Sequence, residues 1–92
     1  MNYRSLGPIK HVSRLALGGG GIGQVWGATD RDEALATVEA AAAAGINFFD
    51  LAPIYGNGEA ERVIGTVYRD GYPDDIKVST KCMLGDAPAE EI

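Results

Sequence analysis

The sequence predicts an α/β fold in which parallel strands are joined by helical crossovers. Short apolar runs predict strands at residues 15–17, 46–50 and 76–81. Stretches with apolar residues at helical spacing predict helices over residues 29–44 and 59–70. Because predicted strands and helices alternate along the chain, we expect the strands to lie parallel, with a helix crossing over between neighbours.

Composition restricts the classes of protein to which the chain can belong. With 8 Lys and Arg against 13 Asp and Glu, the 92 residues carry a formal net charge of −5, which argues against a nucleic-acid partner. The apolar fraction of 46% is typical of a globular protein, and no apolar run approaches the roughly 18 residues of a membrane helix. The lone cysteine, Cys82, allows no internal disulfide, which favours a reducing compartment, so we expect a cytoplasmic protein. Because there is no long apolar run, we expect no membrane partner.

The N-terminal residues predict a small hairpin over residues 2–12. Gly7 and Pro8 mark a turn between two short arms, and His11 lies in the second arm. We interpret His11 as an ordinary hairpin residue rather than a catalyst, because no acid or nucleophile pattern surrounds it.

A run of glycines follows the first predicted parallel strand. Residues 18–23 read GGGGIG and match the G-x-G-x-x-G pattern, but the dinucleotide fingerprint opens a helix directly, and residues 24–29 do not read as a helix start. The glycines still indicate a close approach of the backbone to another group, with amides left free. Trp26 beside them is either a flat wall for a planar ligand or a cover of the core.

The first predicted helix has recognisable ends. Asp30 is the expected N-cap, with Glu33 three residues later completing a capping box, and Gly45 is the expected C-cap. In the strand that follows, alternation places Phe48 and Asp50 on one face and Phe49 on the other, so both faces carry a bulky apolar group.

The second predicted helix begins near Glu59 and ends before Gly71 and Pro73. We interpret Glu59 as a residue that favours the helix start electrostatically. A third strand follows and ends at Lys81, and residues 87–92 predict the opening of another helix.

Three polar side chains are predicted to meet at one edge of the sheet. Asp50 and Lys81 end successive strands, and Tyr55 lies in the loop between them. Since an ammonium stabilises a phenolate, and a carboxylate holds the ammonium, the three form a coherent proton donor for a carbonyl oxygen. The alternative is a structural ion pair beside a packed tyrosine.

Three stretches, YRSLG, VSRLALGG and GINFFDLAPIYGNGEAERVIG, resemble the N-terminal part of the aldo-keto reductases. The resemblance implies the first part of a (β/α)8 barrel, with an N-terminal hairpin that plugs the barrel bottom. It also implies an oxidoreductase that uses NADPH, or NADH, to reduce aldehydes or ketones or to run the reverse oxidation. Asp50, Tyr55 and Lys81 would fill three catalytic roles, with Tyr55 as the proton donor.

The same resemblance implies positions for cofactor and substrate. Gly19, Gly20 and Asp50 would border the cofactor, and Trp26 and Tyr55 would border a small-molecule carbonyl substrate. No metal site is expected, because the sequence has no His/Cys cluster.

We expect residues 1–92 to be an N-terminal fragment of the barrel domain, inactive alone, because such a barrel needs around 250 residues and the family's catalytic histidine lies beyond this sequence. One alternative is a small non-enzymatic α/β domain that acts through partner binding. Another is an unrelated nucleotide-binding domain built on the glycine run. The sequence leaves the substrate, the choice of cofactor and the oligomeric state open.

Overall fold

A computed structural model describes residues 1–24, 27 and 30–82. Two strands form an N-terminal hairpin, and three further strands alternate with two helices. In chain order the elements are β1 (Tyr3–Leu6), β2 (Ile9–Ser13), β3 (Leu17–Gly18), α1 (Arg31–Ala43), β4 (Phe48–Asp50), α2 (Glu59–Val67) and β5 (Lys77–Ser79). The helix predicted at residues 87–92 lies outside the described residues. No helix in the described ranges has the length and apolar character that crossing a membrane requires.

Strands β3, β4 and β5 form a parallel sheet in that order. Leu17 pairs with Phe49, which pairs in turn with Val78 on β5. Helix α1 connects β3 to β4 and helix α2 connects β4 to β5, as the alternation predicted. The paired strands are shorter than predicted. β4 begins after Asn47, whose N–H donates to the Ser13 hydroxyl at 3.1 Å while its carbonyl accepts from the Lys77 N–H at 2.8 Å.

The predicted hairpin is present, and it contains a bulge. β1 and β2 run antiparallel, and between the pairs Leu6–Ile9 and Arg4–Val12 the register shifts, because two residues of β2 face one of β1. His11 is one of the two and has φ +57, in the left-handed region. Its ring stacks on the Tyr3 ring with centroids 4.1 Å apart.

Helix α1 has the predicted N-cap, Asp30, so it begins two residues after the start of the predicted range, and it ends one residue before the predicted end. The Asp30 carboxylate accepts a hydrogen bond from the Glu33 N–H at 2.8 Å, which satisfies one of the free amides of the first turn. The C-cap is Ala44, and Gly45 follows with φ +97, a conformation that suits glycine. Helix α2 ends at Val67 rather than Asp70: Tyr68 is its C-cap and leaves helical geometry, and the Tyr68 ring packs against Phe49.

The core lies between the sheet and the two helices. Phe49 is fully buried there, whereas Phe48 on the opposite face lines an apolar cavity of about 270 Å³ beneath the hairpin. Both faces of β4 therefore carry a bulky apolar group, as predicted, although only the Phe49 face is fully buried. The buried side chains of the core are Ile22, Ala34, Val38, Phe49, Leu51, Ala60, Val63 and Ile64.

A buried amide holds the hairpin against the amino ends of β4 and β5. The Asn47 side chain accepts a hydrogen bond from the Ser13 N–H at 2.8 Å and donates one to the His11 carbonyl at 2.7 Å. Lys77 donates to the same carbonyl at 3.2 Å, and the Tyr3 hydroxyl donates to the Gly45 carbonyl at 2.8 Å. These bonds fix the hairpin at the end of the sheet opposite to Asp50.

An ion pair joins the N-terminal ends of the two helices. The Glu59 carboxylate accepts hydrogen bonds from Arg31 Nε at 3.0 Å and Nη2 at 2.6 Å, and from Arg62 Nε at 3.3 Å. The hydrogen bond from Arg31, more than any other interaction, lowers the pKa of Glu59 below its ordinary value of about 4.5, although partial burial opposes the shift. Because the folded pKa is depressed, this pair stabilises the fold above about pH 4.5, and the contribution is lost as the pH falls through the folded value.

We predict that Asn47→Ala lowers the free energy of unfolding by about 2–3 kcal/mol, because it leaves the buried Ser13 N–H without its acceptor and removes a donor from the His11 carbonyl. Lys77→Met is the control, and it should cost less than about 1 kcal/mol because its bond is exposed. Urea unfolding of the parent chain and the two variants measures the free energies of unfolding. Equal losses of stability in the two variants would contradict the conclusion that the buried Asn47 amide holds the hairpin.

We also predict that Glu59→Gln changes the acid dependence of stability. The variant should be less stable at neutral pH and should lose less of its melting temperature than the parent chain as the pH falls below about 4.5. Glu39→Gln, which removes an exposed carboxylate of α1, controls for the change in net charge. Thermal melts across this pH range test the prediction, and parallel curves for parent and Glu59→Gln would refute it.

Candidate active site

The carboxyl ends of the parallel strands bring the predicted residues to one edge. In the register of the sheet, Asp50 pairs with Gly18 on one side and Ser79 on the other, so the three strands end together. Lys81 follows Ser79 by two residues, and Tyr55 follows Asp50 by five. The sheet therefore delivers an acid, a phenol and an amine to the same edge.

The Lys81 ammonium lies between its two predicted partners. Its Nζ donates to Asp50 Oδ1 at 3.2 Å and to the Leu51 carbonyl at 2.7 Å. It also lies 5.9 Å from the centroid of the Tyr55 ring, within the range of a cation–π contact. The side chains of Lys81 and Asp50 are 53% and 50% exposed, so solvent reaches the group. The predicted convergence of the three residues is present, and their chemical roles remain predictions.

Sequence reasoning did not anticipate the Leu51 carbonyl as an acceptor for Lys81. Any residue supplies a carbonyl, so no residue type could have indicated it. The carbonyl is within reach because Leu51 stays beside β5: its N–H donates to the Ser79 carbonyl at 2.7 Å, and its side chain is buried in the core. The carbonyl and carboxylate together hold the ammonium on two sides.

The loop that carries Tyr55 is anchored at both of its ends. The Tyr55 N–H donates to the Ala52 carbonyl at 3.1 Å, and the Tyr55 carbonyl accepts from the Ala60 N–H at 3.2 Å. Ala60 belongs to the first turn of α2 and is fully buried. The backbone of Tyr55 is thus tied to a fixed point in the core.

The glycine run packs directly against this loop. A side chain added at Gly23 would place its Cβ 2.8 Å from backbone and Cβ atoms of Tyr55, and one added at Gly19 would lie 2.9 Å from Leu51 Cδ2 and 3.2 Å from Tyr55 Cδ2. The predicted close approach of the glycine backbone is therefore present, and its partner is the Tyr55 loop. The Gly19 amide donates to the Asp50 carbonyl at 2.7 Å, so it is not left free as the sequence suggested.

Of the other residues singled out in the sequence, some lie beside this group, and others lie away from it or outside the described residues. Trp26, the predicted substrate wall, falls outside them. Gly20 is buried beside Gly19, and its predicted contact with a cofactor remains a prediction. His11 belongs to the hairpin at the opposite end of the sheet. Cys82 is exposed next to Lys81. The described residues contain no group of three His, Cys, Asp or Glu side chains placed to hold a metal.

Comparison with known proteins identifies relatives of the chain. The model of the Aldo/keto reductase family matches residues 14–91. The chain is similar to an aldo-keto reductase of Bacillus subtilis strain 168, with 36% identity over 91% of the chain and 26% of that protein. It is also similar to a probable voltage-gated potassium channel subunit beta of Oryza sativa, with 39% identity over 92% of the chain and 26% of the relative.

Similarity to a solved structure identifies the fold of the chain. The chain superimposes on a glycerol dehydrogenase from Gluconobacter oxydans with a TM-score of 0.69 and 38% identity, over 87% of the chain and 24% of the dehydrogenase. The predicted fold class, the N-terminal part of a (β/α)8 barrel, is confirmed, and the described residues form an open three-stranded sheet rather than a closed barrel. The chain spans about a quarter of the length of the relatives it matches.

We predict that Gly23→Ala destabilises the chain by about 1–3 kcal/mol, because the new methyl group overlaps the backbone of Tyr55. Gly65→Ala is the matched control. Its Cβ would meet no atom within 4 Å, and alanine is a better helix former, so it should stabilise α2 by about 1 kcal/mol. Chemical denaturation of both variants checks the opposite signs, and a neutral Gly23→Ala would show that the two loops do not pack as described.

Proposed function

Because the chain belongs to the aldo/keto reductase family, we propose that it supplies the N-terminal part of an NAD(P)H-dependent oxidoreductase that reduces aldehydes or ketones, or oxidises the corresponding alcohols. In this proposal residues 1–92 are the first part of one barrel domain. The observation that carries it is the Lys81 ammonium, held by Asp50 and the Leu51 carbonyl and lying beside Tyr55.

The three side chains suit proton transfer to a carbonyl oxygen. Tyr55 would donate the proton, and the positive charge of Lys81 would stabilise the phenolate that remains. Asp50 and the Leu51 carbonyl would keep the ammonium in place, since each accepts one of its hydrogen bonds. Asp50 and Lys81 are half-exposed at the edge of the sheet, so a ligand could reach them.

The chemistry of this group of residues fits a nicotinamide cofactor. Reduction of a carbonyl to an alcohol needs a hydride as well as a proton. A phenol, an ammonium and a carboxylate can transfer protons but cannot donate a hydride, so a separate hydride donor is needed. NADPH, or alternatively NADH, would supply the hydride when bound. Gly19, Gly20 and Asp50 would border the cofactor, and Tyr55 with Trp26 would border the substrate. The fourth catalytic residue, a histidine in this family, would come from a segment outside residues 1–92.

We further propose that the enzyme is cytoplasmic and has no nucleic-acid partner. The acidic net charge of −5 supports the second statement, because nucleic-acid binding needs clustered positive charge. A second candidate is a partner-binding role without catalysis, which the similarity to a channel subunit favours. Loss of turnover on removal of the Tyr55 hydroxyl distinguishes the two, since partner binding does not require that hydroxyl to donate a proton.

We predict that Tyr55→Phe lowers kcat for carbonyl reduction by about 10²–10⁴-fold, the usual contribution of a general acid, with cofactor affinity unchanged. The assay uses a chimera in which the chain replaces the matching segment of the Gluconobacter oxydans glycerol dehydrogenase. Tyr72→Phe, at a half-exposed tyrosine of the loop before β5, is the matched control and should leave kcat unchanged.

Cofactor affinity is measured separately, by quenching of protein fluorescence on titration with NADPH and with NADH. A Tyr55→Phe chimera that reduces carbonyls at the parent rate would refute the assignment of the proton donor. A parent chimera that binds neither cofactor would refute the proposed cofactor.

A further inference from the structure

We propose that Glu59, through its ion pair with Arg31, is a positioning residue that sets the place of Tyr55. The proposal rests on the proposed function, because it gives Glu59 a part in the same proton transfer. Neither Lys81 nor Asp50 is a hydrogen-bond partner of the Glu59 carboxylate. In this proposal Glu59 therefore acts on the position of Tyr55 through the backbone.

The pair is built to resist rotation. Arg31 presents two nitrogens to the two oxygens of the Glu59 carboxylate, at 3.0 Å and 2.6 Å, a bidentate arrangement that fixes direction as well as distance. Glu59 itself is only 9% exposed, although it is charged. A charged side chain removed from water at this position needs its partners, which ties the first turn of α2 to the first turn of α1.

That first turn of α2 in turn holds the Tyr55 loop. The Ala60 N–H donates to the Tyr55 carbonyl, and the Glu59 N–H donates to the Gly56 carbonyl, each at 3.2 Å. A displacement of residues 59 and 60 therefore displaces the backbone of Tyr55 and its successor. On its other side, Tyr55 is in contact with Gly23, so it has little room to readjust.

Neighbouring residues of the same turn secure both flanks of the proposed site. Arg62 donates to the Asn57 carbonyl at 3.1 Å, within the loop. Glu61 accepts from the Thr80 hydroxyl at 2.8 Å, next to Lys81 on the chain. The first turn of α2 is thereby bonded to the segments that carry Tyr55 and Lys81, and Glu59 is the member that anchors it to α1.

This arrangement differs from an ordinary acidic residue at a helix start. The sequence predicted that Glu59 would only favour the helix electrostatically, a role for which a carboxylate near free amides is enough. The structure instead directs the carboxylate to two guanidinium groups. Replacement by glutamine keeps the shape of the side chain and the polarity of its end, and it removes the charge that the pair requires.

The test is a double-mutant cycle in the same chimera. Glu59→Gln should lower kcat by roughly tenfold, because small misplacements of a catalytic group are costly, and should leave the affinity for the nicotinamide cofactor unchanged. In a Tyr55→Phe background the same change should have no further effect on kcat, since Glu59 would act only through the tyrosine. Glu39→Gln, on the exposed side of α1, is the control and should leave kcat unchanged in both backgrounds.

Equal losses in both backgrounds, or no loss in either, would overturn the proposal. Arg31→Lys should retain part of the rate, because it keeps the charge without the bidentate geometry, and Arg31→Met should match Glu59→Gln. If Glu59→Gln fails to fold, the cycle is run with Arg31→Met.

A second readout does not depend on catalysis. In the 92-residue chain, Glu59→Gln should speed hydrogen exchange of the Ala60 amide, which donates to the Tyr55 carbonyl, while the Ala34 amide of α1 should keep the exchange rate that it has in the Glu39→Gln chain. An inactive parent chimera combined with faster exchange at Ala60 would refute the proposed function and retain the positioning role. Unchanged exchange at Ala60 would refute the positioning role itself.

Discussion

The Lys81 ammonium connects the end of β5 to the end of β4, and the candidate site depends on this connection. Its two acceptors, the Asp50 carboxylate and the Leu51 carbonyl, come from consecutive residues on one strand end. Such a contact arises only when parallel strands end in register, as the pairing of Asp50 with Ser79 ensures. The contact is half-exposed and contributes little to stability, so its value lies in the arrangement of charge beside Tyr55.

Close packing of two loops gives this arrangement its rigidity. Gly19 and Gly23 allow the segment after β3 to contact the Tyr55 loop at distances that leave no room for a side chain. The opposite side of the loop is bonded to the first turn of α2, which the ion pair of Glu59 and Arg31 anchors to α1. Tyr55 is therefore held between the backbone of the glycine run on one side and the first turn of α2 on the other.

The two ends of the sheet have separate tasks. At the amino ends of β4 and β5, Asn47 and Lys77 bind the hairpin through the His11 carbonyl. At the carboxyl ends, the polar residues stay exposed and close to one another. This separation agrees with the general division of barrel proteins into a stability face and a catalytic face. It also explains why the single histidine of the chain, which lies in the hairpin, is far from the candidate site.

Much of the fold followed from the sequence because its signals are local. The Asp30 cap, the alternation of strand and helix, and the two apolar faces of β4 each depend on residues near one another along the chain. Strand ends were less predictable. The Asn47 N–H donates to Ser13, a residue 34 positions away, and α2 ends before Tyr68, whose ring packs against Phe49. No local pattern reports such distant competition for a backbone group.

By itself, the sequence determined which side chains the chain can offer: a carboxylate, a phenol and an amine, each placed at the end of a predicted strand or in the loop that follows. Periodicity and turn residues were enough for that, since they report on local backbone geometry. Only the tertiary structure decided that the ammonium takes the Leu51 carbonyl as well as Asp50, that the glycines pack against Tyr55, and that Glu59 pairs with Arg31 across 28 positions. Those contacts join segments that the sequence separates, and they form only when the register of the sheet and the packing of two helices bring the segments together.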